Sequence, residues 1–197
     1  MKSQPVLSGG ILSINVMKIL FATSNEHKIS EANEIGKEYG IEFEAIIQDY
    51  PEVRAESVLD VALAGIEYVY PLVGKPVIVE DSGLFIDGLS GFPGAYSSFV
   101  YERIGNDGIL RLMEGVADRS ARFVSAIGYC DGKKPLVFDG AVEGTIATGC
   151  RGTEGFGYDP VFMPNGSDET FATDPVYKNK VSHRKVAFDK LCSELTR

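Results

Sequence analysis

Two hydrophobic periods alternate along the first half of the chain. Lys18-Ile19-Leu20-Phe21-Ala22 is a short apolar run that predicts a first strand. Thr23 to Lys28 is polar; Ile29, Ala32, Ile35 and Gly36 then share one face at helical spacing, predicting a helix over 28–39 with Gly40 as its stop. Residues 42–47 alternate as a second strand, and Ser57 with Asp60 resembles a capping box opening a helix to about Tyr70. Pro76-Val77-Ile78-Val79 predicts a buried strand that ends on Glu80 and Asp81, with Leu84 to Asp87 extended again before a glycine-rich turn over 88–94. A helix over 95–104 and a second one capped by Asn106 follow. Residues 119–129 and 135–145 alternate on either side of Asp131-Gly132, a hairpin signal, and are expected to build a second lobe packed on the first. Residues 149–160 have no period, Val161 to Met163 is a short strand, and 168–174 reads as loop. Ser182 caps a last helix with Val186, Ala187, Leu191 and Leu195 on its apolar face. Strand and helix in alternation define an α/β chain whose βα loops meet at one sheet edge.

Composition narrows the function classes. The 197 residues fit one domain, and a net charge of −9 argues against nucleic acid as the main partner, since such binding rests on many Lys and Arg contacts to phosphate. A small phosphorylated ligand needs only a few local cations. Cys130, Cys150 and Cys192 are widely spaced and suit a reducing cytoplasm and buried thiols. His27 and His183 leave little room for a histidine-built metal site. No apolar run approaches a membrane span. Residues 1–16 read as a poorly ordered extension, with Met17-Lys18-Ile19 the more natural start.

Four stretches carry candidate chemistry. Thr23-Ser24-Asn25 with Lys28 lies between a strand and a helix, a geometry that binds anions, although an ordinary connection capped by Ser24 or Asn25 fits the same residues. Glu80 and Asp81 end a strand where open α/β sheets place catalytic groups; alternation keeps them from both facing one site, and a plain solvent edge is the other reading. Residues 149–160 offer close backbone approach and the ring faces of Phe156 and Tyr158, or else a flexible loop with aromatic anchors. His183 and Arg184 start a helix, where cations oppose the dipole; a bound anion or polar ligand accounts for them, as does a solvated charge cluster.

Taken in order, Thr23-Ser24-Asn25-x-x-Lys28, Glu80-Asp81-Ser82-Gly83-Leu84, Gly155-Phe156-Gly157-Tyr158-Asp159-Pro160 and Ser182-His183-Arg184 resemble the inosine triphosphate pyrophosphatase, or Ham1-like, family. Gly91-Phe92-Pro93-Gly94 fits as well, and the resemblance spans nearly all of 17–195. It implies an elongated central mixed sheet flanked by helices, in a single domain of two lobes with the active-site cleft between them. It implies hydrolysis of non-standard purine nucleoside triphosphates (ITP, dITP, XTP) to the monophosphate and pyrophosphate, a Mg2+ cofactor, a homodimer and a cytoplasmic setting. Carried over, Thr23, Ser24, Asn25 and Lys28 would hold the triphosphate, and Asp81 would be general base and metal ligand with Glu52 as a second ligand. Glu80 would support Asp81, Ser82 would touch substrate, and Ser82-Gly83 would be a turn that gives phosphate room. Phe156, Gly157, Tyr158 and Asp159 would line the base, Lys178 would reach phosphate or base, and His183 and Arg184 would read the base edge. Gly65 departs from the pattern, because many relatives carry a phosphate-contacting lysine there, with Lys75 the available substitute; Ser24 replaces a common glycine. The competing expectations are a Maf-like pyrophosphatase acting on modified pyrimidines and a nucleotide sensor without turnover.

Overall fold

A computed structural model describes residues 16–50, 53 and 55–197. Glu52, and the expected N-terminal extension apart from Val16, lie outside the described residues. The parallel part of the sheet consists of β1 (Met17–Ala22), β2 (Ile41–Ile46) and β3 (Val77–Ile86), in the order β2-β1-β3. Helix α1 (Glu26–Lys37) links β1 to β2 and α2 (Val58–Val73) links β2 to β3. The chain therefore steps outward to one side of β1 and returns to the other, which makes the β1/β3 junction the topological switch point of the sheet. Beyond β3 come β4 (Pro93–Gly94), α3 (Ser97–Leu112), β5 (Ser120–Cys130), β6 (Leu136–Ile146), β7 (Phe162–Pro164), α4 (Pro175–Val181) and α5 (His183–Leu195).

The predicted hairpin is present as β5 and β6, but it does not form a sheet of its own. β5 pairs antiparallel with β3 from Val77↔Cys130 to Ile86↔Ala121, so a single mixed sheet runs β2-β1-β3-β5-β6-β7. The second lobe stands on the far ends of these long strands, where Leu84, Ile86 and Phe123 pack with Val100, Ile109, Phe162 and Phe171. At the near end Ile19, Phe21 and Ile78 pack with Ala32 of α1 and Phe188 and Leu191 of α5. On the opposite face Val77 and Val79 meet Ile66 and Val69 of α2.

Several boundaries shift for local reasons. Asn25 caps α1, so the helix starts at Glu26, two residues before the expected start and three before its apolar stripe. α2 carries Pro71 in its last turn and runs on to Gly74, one turn past the expected end. α3 bends at Gly105, whose φ of 60° and ψ of −164° separate the two predicted helices. α4, capped by Asp174 and started by Pro175, is too short to show a period, and the hydrophobic pattern does not announce it.

The main correction concerns β3. Glu80 and Asp81 do not end the strand and Ser82-Gly83 is not a turn; all four lie mid-strand. Gly83 answers a packing demand instead, since a Cβ there would sit 2.4 Å from the Gly94 carbonyl oxygen. On the side away from β5, β3 pairs with β1 only through Val77 and Ile78 and with β4 only through Leu84 and Phe85. The edge between, residues 79–83, has no strand partner among the described residues, and the cleft between the lobes enters there.

Candidate active site

The open edge leads into a cavity of about 680 Å³ lined by residues of β1, β3 and β5, of α1 to α5 and of the loops between them. Alternation places Glu80 and Ser82 on the α5 face of the sheet and Asp81 on the α2 face. Because the edge is unpaired, the cavity reaches around it and takes in Glu80, Asp81 and Ser82 together. Every described candidate residue from the sequence lies on this one cavity: Thr23, Ser24, Asn25 and Lys28; Asp81 and Ser82; Phe156, Gly157, Tyr158 and Asp159; Lys178, His183 and Arg184.

The turn after β1 is both a helix cap and a cavity wall. Asn25 Oδ1 accepts from the N–H groups of His27 and Lys28 at 2.9 and 3.2 Å, and Thr23 Oγ1 accepts from the Asn25 N–H at 3.1 Å. Two of the helix's N-terminal donors are thus already occupied, which leaves the side chains of Thr23, Ser24 and Lys28 to meet an anion. Lys28 Nζ uses the open edge itself, donating to the Glu80 carbonyl at 3.0 Å and pairing with the Glu80 carboxylate at 2.7 Å.

At the cavity floor three cations interlock with three carboxylates, of which Glu31 lies behind the wall. Arg184, 1% exposed, donates to Glu31 at 2.6 Å, to Glu80 at 3.1 Å and to Ser82 Oγ at 3.3 Å. Lys178, also buried, pairs with Glu31 at 2.7 Å and with Asp159 at 2.8 Å. Ser125 Oγ donates to Glu80 at 2.6 Å. Burial alone would push Glu80 upward, but Arg184 and Lys28 outweigh it and hold its carboxyl well below the usual range. The same contest, against Arg184 and Lys178, leaves Glu31 lowered. At Asp159 burial wins over Lys178 and the carboxyl is raised. Arg184 is held still more firmly protonated, because Glu80 and Glu31 overcome its burial. His183, stacked on Phe123 at 4.7 Å, is driven well below the ordinary imidazole range, by burial first and then by Arg184, so it is neutral. Its Nδ1 and the Arg184 Nε are buried without a hydrogen-bond partner among the described residues. Of the two residues expected as cations at the start of α5, His183 is neutral and Arg184 is compensated by carboxylates of the chain, with polar atoms to spare.

The loop over 149–160 is anchored, not floppy. Asp159 accepts from the Phe156 N–H at 2.8 Å, Tyr158 donates its hydroxyl to the Ser97 carbonyl at 3.0 Å, and Asn106 Nδ2 donates to the Gly157 carbonyl at 3.1 Å. Tyr158 and Asp159 are buried supports, while Phe156 presents its ring to the cavity. Glu31, which ties Lys178 to Arg184 behind the cavity wall, is the residue that sequence reasoning misses. A signal for it exists: it lies three residues after Lys28, on the same side of α1.

Residues 19–194 match the model of the Ham1 family. The chain belongs to the Ham1 family. Among its relatives, a Methanopyrus kandleri protein named dITP/XTP pyrophosphatase is 51% identical over 88% of this chain and 94% of that one. A protein of the same name from Methanosarcina mazei is 49% identical over 87% and 94%. The solved structure of a HAM1 protein from Coxiella burnetii superposes with a TM-score of 0.80 at 31% identity, covering 91% of this chain and 98% of that one. The Staphylococcus aureus Ham1 protein gives 0.78 at 30%, covering 90% and 97%. In this Ham1 family member the departure at Gly65 has a visible counterpart. A Cβ at Gly65 would lie 3.1 Å from the Tyr50 ring and 3.3 Å from Val79, so the tyrosine packs where a side chain would leave the helix. Lys75 is exposed and is not part of the cavity wall.

Proposed function

We propose that this chain hydrolyses non-standard purine nucleoside triphosphates, ITP, dITP and XTP, to the monophosphate and pyrophosphate. The observation that carries the reading is the passage of the cavity around the open edge of β3. It sets Asp81 on one face of the sheet and the ring of Phe156 with His183 and Arg184 on the other. A nucleotide laid across the edge meets the polar turn 23–25 and Lys28 with its phosphates and the α5 face with its base. Asp81 holds or deprotonates the attacking water, and positioned proton transfer of this kind contributes roughly 10²–10⁴-fold. Hypoxanthine and xanthine offer an oxygen acceptor at C6 where adenine offers an amine. The buried Arg184 Nε, without a partner among the described residues, supplies spare donor capacity beside Phe156, and a site built to pair one group can reject its analogue by roughly 10⁴-fold or more.

Magnesium fits the donor set. The ion takes one or two carboxylates and completes its shell with phosphate and water, and Asp81 offers a carboxylate on the cavity wall. Among the described residues five carboxylates line the cavity against three Lys and Arg cations, so a polyanionic substrate needs a metal to cover its charge. Asp81, with Glu52, would hold the ion. When bound it would neutralise phosphate charge and orient water.

A homodimer and a cytoplasmic setting belong to the same reading. The first is supported by Phe92, Tyr96, Phe99 and Ile104, exposed on and before α3, and the second by three free cysteines, of which Cys150 is exposed and not buried as expected. No described helix is long and apolar enough to cross a membrane.

The test is a panel of ITP, XTP, dITP, GTP, ATP, dUTP and modified pyrimidine triphosphates incubated with magnesium or with EDTA. Monophosphate plus pyrophosphate from ITP or XTP, lost with EDTA, is the expected result. Diphosphate plus phosphate, turnover confined to pyrimidines, or binding without turnover would each contradict it.

A further inference from the structure

Three groups crowd the ring of Phe156. The imidazole of His27 stacks on it at 4.9 Å between centroids and 15° between planes. Lys178 Nζ and Arg184 Cζ lie 4.7 and 5.5 Å from the same centroid. The two cations cannot yield: both are buried, and each is tied to two carboxylates, Lys178 to Glu31 and Asp159, Arg184 to Glu31 and Glu80. His27 is different. It is exposed, it stands in the first turn of α1, and its hold on the turn is through its backbone N–H to Asn25, which leaves the ring free to rotate. Phe156 is itself fixed by the bond from its N–H to buried Asp159.

We infer that His27 is a specificity-determining residue, which sets the affinity for the base by competing with it for the Phe156 ring. The inference rests on the reading above, in which Phe156 lines the base, and takes that contact to be a stack of the purine on the phenyl ring. An imidazole held nearly parallel to a phenyl ring takes up the area and the offset geometry that a base would use. Binding a purine then exchanges one stack for another, and the net gain is the difference between them. A larger flat system displaces the imidazole with a net increase in contact area, whereas a ligand with no base gains nothing from the exchange. His27 thus weakens all nucleotides but leaves base-free polyphosphate untouched, so the contact discriminates by what is attached to the phosphates.

The experiment uses the full chain with magnesium. KM and kcat are measured on ITP, and inorganic tripolyphosphate serves as a competitive inhibitor, for the parent, His27→Ala, His27→Phe and Phe156→Ala. His27→Ala is expected to lower KM for ITP about five-fold, the effect of removing one competing aromatic pair. Its kcat and the tripolyphosphate Ki should stay at parent values. His27→Phe restores a competing ring and is expected to return KM to near the parent's. An unchanged or raised KM in His27→Ala, with Phe156→Ala raising KM, overturns the role given to His27 while keeping the stacking site. A Phe156→Ala variant with unchanged KM overturns the stacking reading itself. A tripolyphosphate Ki that shifts in His27→Ala overturns the competition model, because it makes His27 part of the phosphate turn.

Discussion

Replacing Glu31 by Gln removes the carboxylate through which α1 bridges Lys178 of α4 and Arg184 of α5. Both ion pairs that it breaks are short, 2.7 and 2.6 Å, and both cations are nearly inaccessible to water. Taking one partner from a buried ion pair costs about 3–5 kcal/mol, because the charge left behind is not resolvated. Here each cation keeps a second partner, Asp159 at 2.8 Å for Lys178 and Glu80 at 3.1 Å for Arg184, which argues for the lower end, about 3 kcal/mol. For a chain of this size 1 kcal/mol moves the melting temperature by roughly 2–4 °C, so the variant should melt ~6–12 °C below the parent. Calorimetry gives that number directly. Glu34→Gln is the control: it lies on the same helix, 61% exposed and paired with exposed Lys37, and its melting temperature should not move. Glu31→Gln melting together with the control would refute the claim that this network is desolvated. A second readout follows from position: the freed guanidinium and ammonium relax beside Phe156, so KM for ITP rises.

Asp81→Asn should fold normally, with an unchanged melting temperature, and lose roughly 10²–10⁴-fold in kcat; near-parental turnover would remove Asp81 from the chemistry. Stability should fall as pH drops through about 6.5, because the unfolded imidazole of His183 takes a proton there that the buried ring refuses. His183→Phe, which can still stack on Phe123, should flatten that slope in thermal melts; an equal slope in both proteins would show another group responsible. Below about 4.5 a further loss sets in as Glu31 and Glu80, ionised in the fold, meet protonated counterparts in the unfolded chain, with Asp159, raised by burial, acting in the opposite sense. Gly83→Ala puts a Cβ against the backbone of Gly94, and a loss of about 1–3 kcal/mol in urea unfolding is expected; a neutral variant would mean that β4 can move away at no cost.

Much of this protein follows from local pattern. The strands β1, β2, β5 and β6, the Ser57 and Ser182 caps and the break at Gly105 each rest on a few neighbouring residues, since backbone preference and capping are short-range. Many of the residues that line the cavity are legible for the same reason: they cluster in short motifs, most of them near element ends, with Glu80-Asp81-Ser82 in mid-strand the exception. What local pattern does not contain is how one strand is bordered. Glu80-Asp81-Ser82-Gly83 looks like a strand end and a turn, because acids and glycine weaken strand propensity. β5 holds the stretch extended through Ser125 and Ala126, and only the tertiary arrangement leaves its other edge open. The partners of the charged groups are likewise decided by the fold. Arg184 at a helix start reads as a cation waiting for a ligand, and the carboxylates that satisfy it, Glu31 and Glu80, lie 153 and 104 residues away in the chain. Sequence determines which chemical groups are present and which element carries them. Which of those groups are buried against each other, and which remain to face a substrate, depends on desolvation and distance, quantities that exist only once the chain has packed.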